Sequence, residues 1–168
     1  MAAERSRRVV IGIGNPDRGD DAAGRAVARR LQGVVRRGVA VLEQGGETTA
    51  LLAALEDAVE AFLVDACASG ATPGTVHRFD AAEMSLPAAS FALSSHGIGL
   101  AEAVELARAL GQLPPRCIVY AIEGQSFDKG APLSPVVASA VEAVALRLGA
   151  EIAACSTAPG ETGCTKPR

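Results

Sequence analysis

Apolar residues recur along this chain in two rhythms, and the alternation between them predicts its elements. Residues 8–14 (RVVIGIG) form a short, nearly unbroken apolar run closed by glycines, the pattern of a strand buried on both faces. Over residues 20–31 the spacing turns helical, with Ala23, Val27, Ala28 and Leu31 on one stripe. Residues 39–43 (VAVLE) predict a second strand, and Gly45-Gly46 break the chain before a helix over residues 48–57. Residues 61–66 (AFLVDA) predict a third strand, followed by the turn-rich loop ASGATPG. Residues 74–80 (GTVHRFD) alternate apolar and polar, as a more exposed strand does. A helix over residues 97–110 places Leu100, Val104, Ala107 and Leu110 on one face, and CIVYAIEG at 117–124 is the fifth strand. Ser134-Pro135 reads as an N-cap followed by a first-turn proline. The helix they open runs to about Leu148, with Gly149 as its stop.

Strands separated by helices predict an α/β layered domain with a mostly parallel sheet. The fourth strand follows the third with no helix between them, so it is expected to run antiparallel at or near an edge. Residues 1–152 read as one domain. Residues 153–168, polar and rich in Gly, Pro and Thr, read as a disordered tail. A length of 168 residues suits one domain, and 49% hydrophobic residues suffice for its core. Aromatics are only 3%, with no Trp, so the core is built from Ala, Val, Leu and Ile. That scarcity removes the stacking platforms of single-stranded nucleic-acid binders, and a net charge of −3 removes their electrostatic footprint. No segment reaches the ~18 apolar residues of a membrane span. Four cysteines, Cys67, Cys117, Cys155 and Cys164, contain no C-x-x-C pair, so the expectation is a cytoplasmic protein without a disulfide framework.

The chemistry begins in the loop after the first strand, G12-I-G14-N15-P16-D17-R18-G19-D20-D21-A-A-G24. The dinucleotide fingerprint G-x-G-x-x-G fails at Asp17. Gly14 and Gly19 have phosphate-loop spacing, but Asp20 and Asp21 stand where the lysine and hydroxyl should be, and two carboxylates there repel a nucleotide. One aspartate serves as a helix cap; the second is left as a candidate ligand. Asp65 ends the apolar run Phe62-Leu63-Val64, where open α/β sheets gather their ligands. A bond to loop amides explains Asp65 equally well. His96, in S94-S95-H96-G97, stands at a helix entrance, where imidazole is held neutral and fit for a metal; taken alone, a helix-entry histidine bonded to backbone is the commoner case. His77 reads as a solvated strand residue, and Cys67, among alanines, as a small core residue. Two carboxylates and one imidazole make an open site for nickel, zinc or cobalt. Neither H-E-x-x-H nor G-x-S-x-G occurs, so the zinc-protease helix and the serine-hydrolase elbow are absent. Asn15 and Pro16 read as turn formers of the first loop, while Glu123 and Gly124 share the rim where the strands end.

Six segments in order, GIGNPDRGDDAAG (12–24), LVDA (63–66), PGTVHRF (73–79), SSHGIGL (94–100), IEG (122–124) and LSP (133–135), give the chain its resemblance to the hydrogenase maturation proteases. That family removes a C-terminal extension from the large-subunit precursor of nickel–iron hydrogenases after nickel insertion. The resemblance implies a three-layer α/β/α sandwich of the phosphorylase/hydrolase-like type, with a mixed, mostly parallel five-stranded sheet. It implies that Asp21, Asp65 and His96 bind metal, Asp21 being the acid three residues before Gly24. The metal is nickel presented by the precursor, and zinc or cadmium is expected to occupy the same ligands in the isolated protein. The family is grouped with aspartic-type peptidases. Asp20, Asp21, Asp65 and His96 are the candidate catalytic residues, with Asp20 as a free carboxylate available to activate water; Asn15, Glu123 and Gly124 are candidate substrate contacts. The expected partner is the large-subunit precursor, engaged by a monomer, with no nucleic acid or membrane involved.

Overall fold

The computed structural model describes residues 7–91 and 99–155. Five strands, β1 (Arg7–Ile13), β2 (Val39–Gln44), β3 (Ala58–Cys67), β4 (Val76–Asp80) and β5 (Arg116–Glu123), form one sheet in the order β2-β1-β3-β5-β4. The pairs β1–β2, β1–β3 and β3–β5 are parallel; β4 pairs antiparallel with β5 at the edge. The helices are α1 (Ala23–Leu31), α2 (Thr48–Leu55), α3 (Leu100–Ala109) and α4 (Pro135–Ala154). The expected mixed, mostly parallel sheet and its antiparallel fourth strand are therefore present.

Side chains alternate across a strand, and the parity sorts the core into two layers. Odd-numbered Val9, Ile11, Leu63, Val119 and Ala121 face α2 and α3. Even-numbered Val10, Phe62, Val64, Tyr120 and Ile122 face α1 and α4. Both faces are covered, which is why the central strands read as unbroken apolar runs. Gly24 lets the first turn of α1 lie directly on the sheet. A Cβ there would stand 2.2 Å from the Val64 carbonyl oxygen and 2.4 Å from that of Ile13.

Three expectations need correction. Residues 19–22 form a separate 3₁₀ turn, so α1 begins at Ala23 instead of residue 20. Gly149 does not end α4, which continues to Ala154. A glycine inside a helix costs about 1 kcal/mol; burying Ile152 on the next turn returns about 1.5–3 kcal/mol. Residues 153–155 therefore belong to the helical segment, and 156–168 lie outside the described residues. Ser134 does stand at the N-cap of α4 with extended backbone, but its hydroxyl does not cap that helix. Among the described residues, no helix is long and apolar enough to cross a membrane.

Candidate active site

The carboxyl end of β1 turns sharply at Gly14, whose φ is +141°. A Cβ at this position would collide with the Asp21 carbonyl oxygen at 1.8 Å, so glycine allows the turn to fold back on itself. The Asn15 side-chain oxygen accepts the Asp17 N–H at 2.9 Å, the local bond expected of Asn in a tight turn. The Asn15 N–H in turn donates to the Asp21 carboxylate at 2.9 Å. Asn15 thus shapes the loop and aims Asp21.

Asp21 and Asp65 line one cleft, together with Gly14, Gln44, Ala66 and an apolar wall that includes Leu51, Phe91 and Leu100. The cleft lies at the carboxyl ends of β1, β2 and β3, where α/β sheets bind ligands. Burial pushes the Asp21 carboxyl up from its ordinary value, against the pull of the Asn15 N–H and the Arg18 charge. Burial pushes Asp65 well up, the Asp21 charge adds to it, and the Ala66 N–H at 2.8 Å only partly offsets both. Two carboxylates share a poorly hydrated space in which ionising one opposes ionising the other. A proton or a cation between them relieves that cost.

Asp20, the neighbouring acid, turns the other way. Its side chain is fully buried and accepts four hydrogen bonds: from the N–H groups of Gln125 (2.7 Å), Ser126 (3.0 Å) and Ser134 (2.7 Å), and from the Ser134 hydroxyl (2.9 Å). Burial alone would raise its pKa, but these donors hold it below the usual carboxylate range. The expectation of Asp20 as a free carboxylate is therefore overturned: its oxygens are committed to the segment joining β5 to α4. Nor does either acid cap α1, which has no side-chain cap.

Glu123 ends β5 and Gly124 follows it, beside the cleft. Neither is among the residues lining the cleft. The buried Glu123 carboxylate accepts the N–H groups of Ser69 (2.8 Å) and Gly70 (3.1 Å), the Ser69 hydroxyl (2.7 Å) and the Cys67 thiol (3.3 Å). Gly124 donates its N–H to Cys67 and packs beneath the Phe127 ring. Burial raises the Cys67 thiol far above its ordinary value, and the Glu123 and Asp65 charges reinforce this, so it is no nucleophile. His77 is not simply a solvated strand residue: its Nε2 is buried, lacks a hydrogen-bond partner and stands 3.7 Å from the Glu123 carboxylate. His96 lies outside the described residues, in the segment between Phe91 and Leu100, both of which line the cleft.

Gln44 is a cleft residue that sequence reasoning missed. Its amide N–H donates to the Ala50 carbonyl at 3.1 Å, while its Oε1 is buried without a partner. The signal for it was its place at the end of β2, directly before Gly45-Gly46, on the same rim as the aspartates.

Residues 26–150 match the model of a family described as hydrogenase maturation protease. The match begins beyond the first loop and includes Asp65 and His96. No curated protein sequence matches the chain. Among solved structures, the fold is similar to the hydrogenase maturating endopeptidase HybD from E. coli, with 22% identity, a TM-score of 0.74, and coverage of 89% of this chain and 93% of that one. It is also similar to the [NiFe] hydrogenase maturation protease HycI from Thermococcus kodakarensis KOD1, with 26% identity, a TM-score of 0.66, and coverage of 88% and 92%. An endopeptidase from Escherichia coli superposes with a TM-score of 0.75 at 24% identity over 89% of this chain and 94% of that one.

Proposed function

The chain belongs to the hydrogenase maturation protease family, and we propose that Asp21, Asp65 and His96 engage the nickel of the large-subunit precursor whose C-terminal extension this endopeptidase removes. The observation that carries this reading is the pairing of Asp21 and Asp65 in one cleft, where each is pushed toward its protonated form. Two oxygen donors in a desolvated space favour a cation, and one imidazole added to them suits a borderline divalent ion. The position of His96, between two cleft-lining residues, supports its place as the third donor. Nickel arrives as part of the substrate, and a free zinc or cadmium ion competes for the same donors in the isolated protein.

Recognition and chemistry then share one place. Docking of the precursor's nickel against the aspartates brings the scissile peptide along the apolar wall of Leu51, Phe91 and Leu100. Hydrolysis adds water across the amide: hydroxyl goes to the carbonyl carbon and a proton to the leaving nitrogen. With Asp20 committed elsewhere, the proton handling falls to the Asp21–Asp65 pair, which is the sense in which an aspartic-type grouping fits this chain. The enzyme acts as a cytoplasmic monomer.

The test is processing of nickel-loaded and nickel-free precursor by the purified chain, followed by mass spectrometry. Cleavage of the loaded form alone supports the reading; equal cleavage of both removes nickel from recognition. Full processing by Asp65→Ala would remove the site assignment.

A further inference from the structure

A second group of ligand-type side chains lies beside the cleft. In the sheet register Cys67 of β3 pairs with Glu123 of β5, and His77 of β4 pairs with Ala121, one pleat away from Glu123. All three are odd-numbered and stand on the α2–α3 face, so the register of three adjacent strands brings a thiol, an imidazole and a carboxylate together. One ligand atom from each lies within 4.8 Å of the other two. We propose that Cys67, His77 and Glu123 form a second cation site, separate from the Asp21–Asp65 cleft, for a thiophilic divalent ion of the zinc class.

The distances suit such an ion. Ligand bonds of about 2.0–2.3 Å at tetrahedral angles separate neighbouring ligand atoms by about 3.3–3.6 Å. Cys67 Sγ stands 3.3 Å from Glu123 Oε2, and His77 Nε2 stands 3.7 Å from the same oxygen. The Nε2 atom is buried without a hydrogen-bond partner, a cost that a bound cation removes. Outer contacts already fix the ligands. The Ser69 and Gly70 N–H groups hold Glu123 Oε1, the Ser69 hydroxyl holds Oε2, and the His77 ring stacks on Phe79 at 6.2 Å between centroids. A cavity lined by Cys67 and His77, and walled by Phe79, Pro87, Ser90 and Phe91, leaves room for a fourth, exogenous ligand. Binding expels the Cys67 thiol proton to solvent, and the thiolate so formed, with the Glu123 carboxylate, neutralises the divalent charge. The sulfur separates this site in preference from the oxygen-rich cleft.

The experiment is cobalt titration of the chelator-treated full chain, read by absorption. The expected result is a thiolate-to-cobalt charge-transfer band in the wild type that Cys67→Ser abolishes and Asp65→Asn leaves in place. His77→Ala, on the partly exposed edge strand, serves as a second variant that leaves the core intact and weakens cobalt binding at least tenfold. Ser69→Ala weakens it about 10–100-fold by freeing the carboxylate. The proposal is overturned if saturating cobalt gives the wild type no such band, if the band survives Cys67→Ser, or if Asp65→Asn removes it. This readout needs no hydrogenase precursor, so it stands or falls apart from the processing reaction.

Discussion

Asp20 and Asp21 share a peptide bond and have opposite surroundings. Asp20 faces the β5–α4 segment, where three backbone N–H groups and a hydroxyl surround it. Asp21 faces a cleft it shares with another carboxylate, and burial there opposes its charge. A saturated buried charge organises the chain around it; an under-satisfied pair marks a place kept for something that comes and goes. The acidic doublet in the sequence is therefore one residue tied to the β5–α4 segment and one that lines the cleft.

The largest effect is expected from Asp20→Ala. It strands buried donors that the carboxylate had paired, and the expected loss is about 3–5 kcal/mol of unfolding free energy, read by urea denaturation. A loss under about 1 kcal/mol would erase the contrast between the two acids. Next comes Asp65→Asn. Processing is expected to fall at least ~100-fold, about 2.7 kcal/mol in the barrier, while the melting temperature stays level or rises because a buried repulsion is gone. A clear drop in melting temperature would make Asp65 a structural residue like Asp20.

The pH dependence separates the two acids by sign. The folded pKa of Asp20 lies below its unfolded value of about 3.9, so its contribution is complete above that value and is lost as pH falls through the folded pKa. The folded pKa of Asp65 lies well above its unfolded value, so it subtracts stability at high pH, and the penalty is relieved as pH falls through the folded pKa. Denaturation curves over a pH series are expected to lose the acid limb in Asp20→Asn and the opposite slope in Asp65→Asn. Matching slopes in the two variants would contradict the assigned environments. The smallest effect is a control away from both: Gly149→Ala in α4 is expected to add about 0.5–1 kcal/mol. Its Cβ would meet Leu31 Cδ2 at an ordinary 3.7 Å.

The strands and helices were legible because a sheet covered on both faces imposes apolar runs, and helices impose their own spacing. Family motifs and strand ends led to Asp21 and Asp65, which the structure places in one cleft. What remained hidden depended on distant partners. Nothing near Asp20 announces donors more than a hundred residues away, at Gln125, Ser126 and Ser134. Gly149 looked like a stop because its local cost was visible and the burial of Ile152 was not. His77 looked solvated because β4 alternates, yet it shares parity with Phe79, which packs toward the α2–α3 layer, and that parity pointed inward.

The Asp20 tie also has a consequence for inheritance. The backbone that carries Asp21 into the cleft is clamped, one residue earlier, to residues 125–134. An insertion or a proline in that distant segment would shift the aim of Asp21 without touching the cleft. Lineages of this chain are thus expected to hold the length from Gln125 to Ser134 fixed, although nothing in that segment touches the cleft.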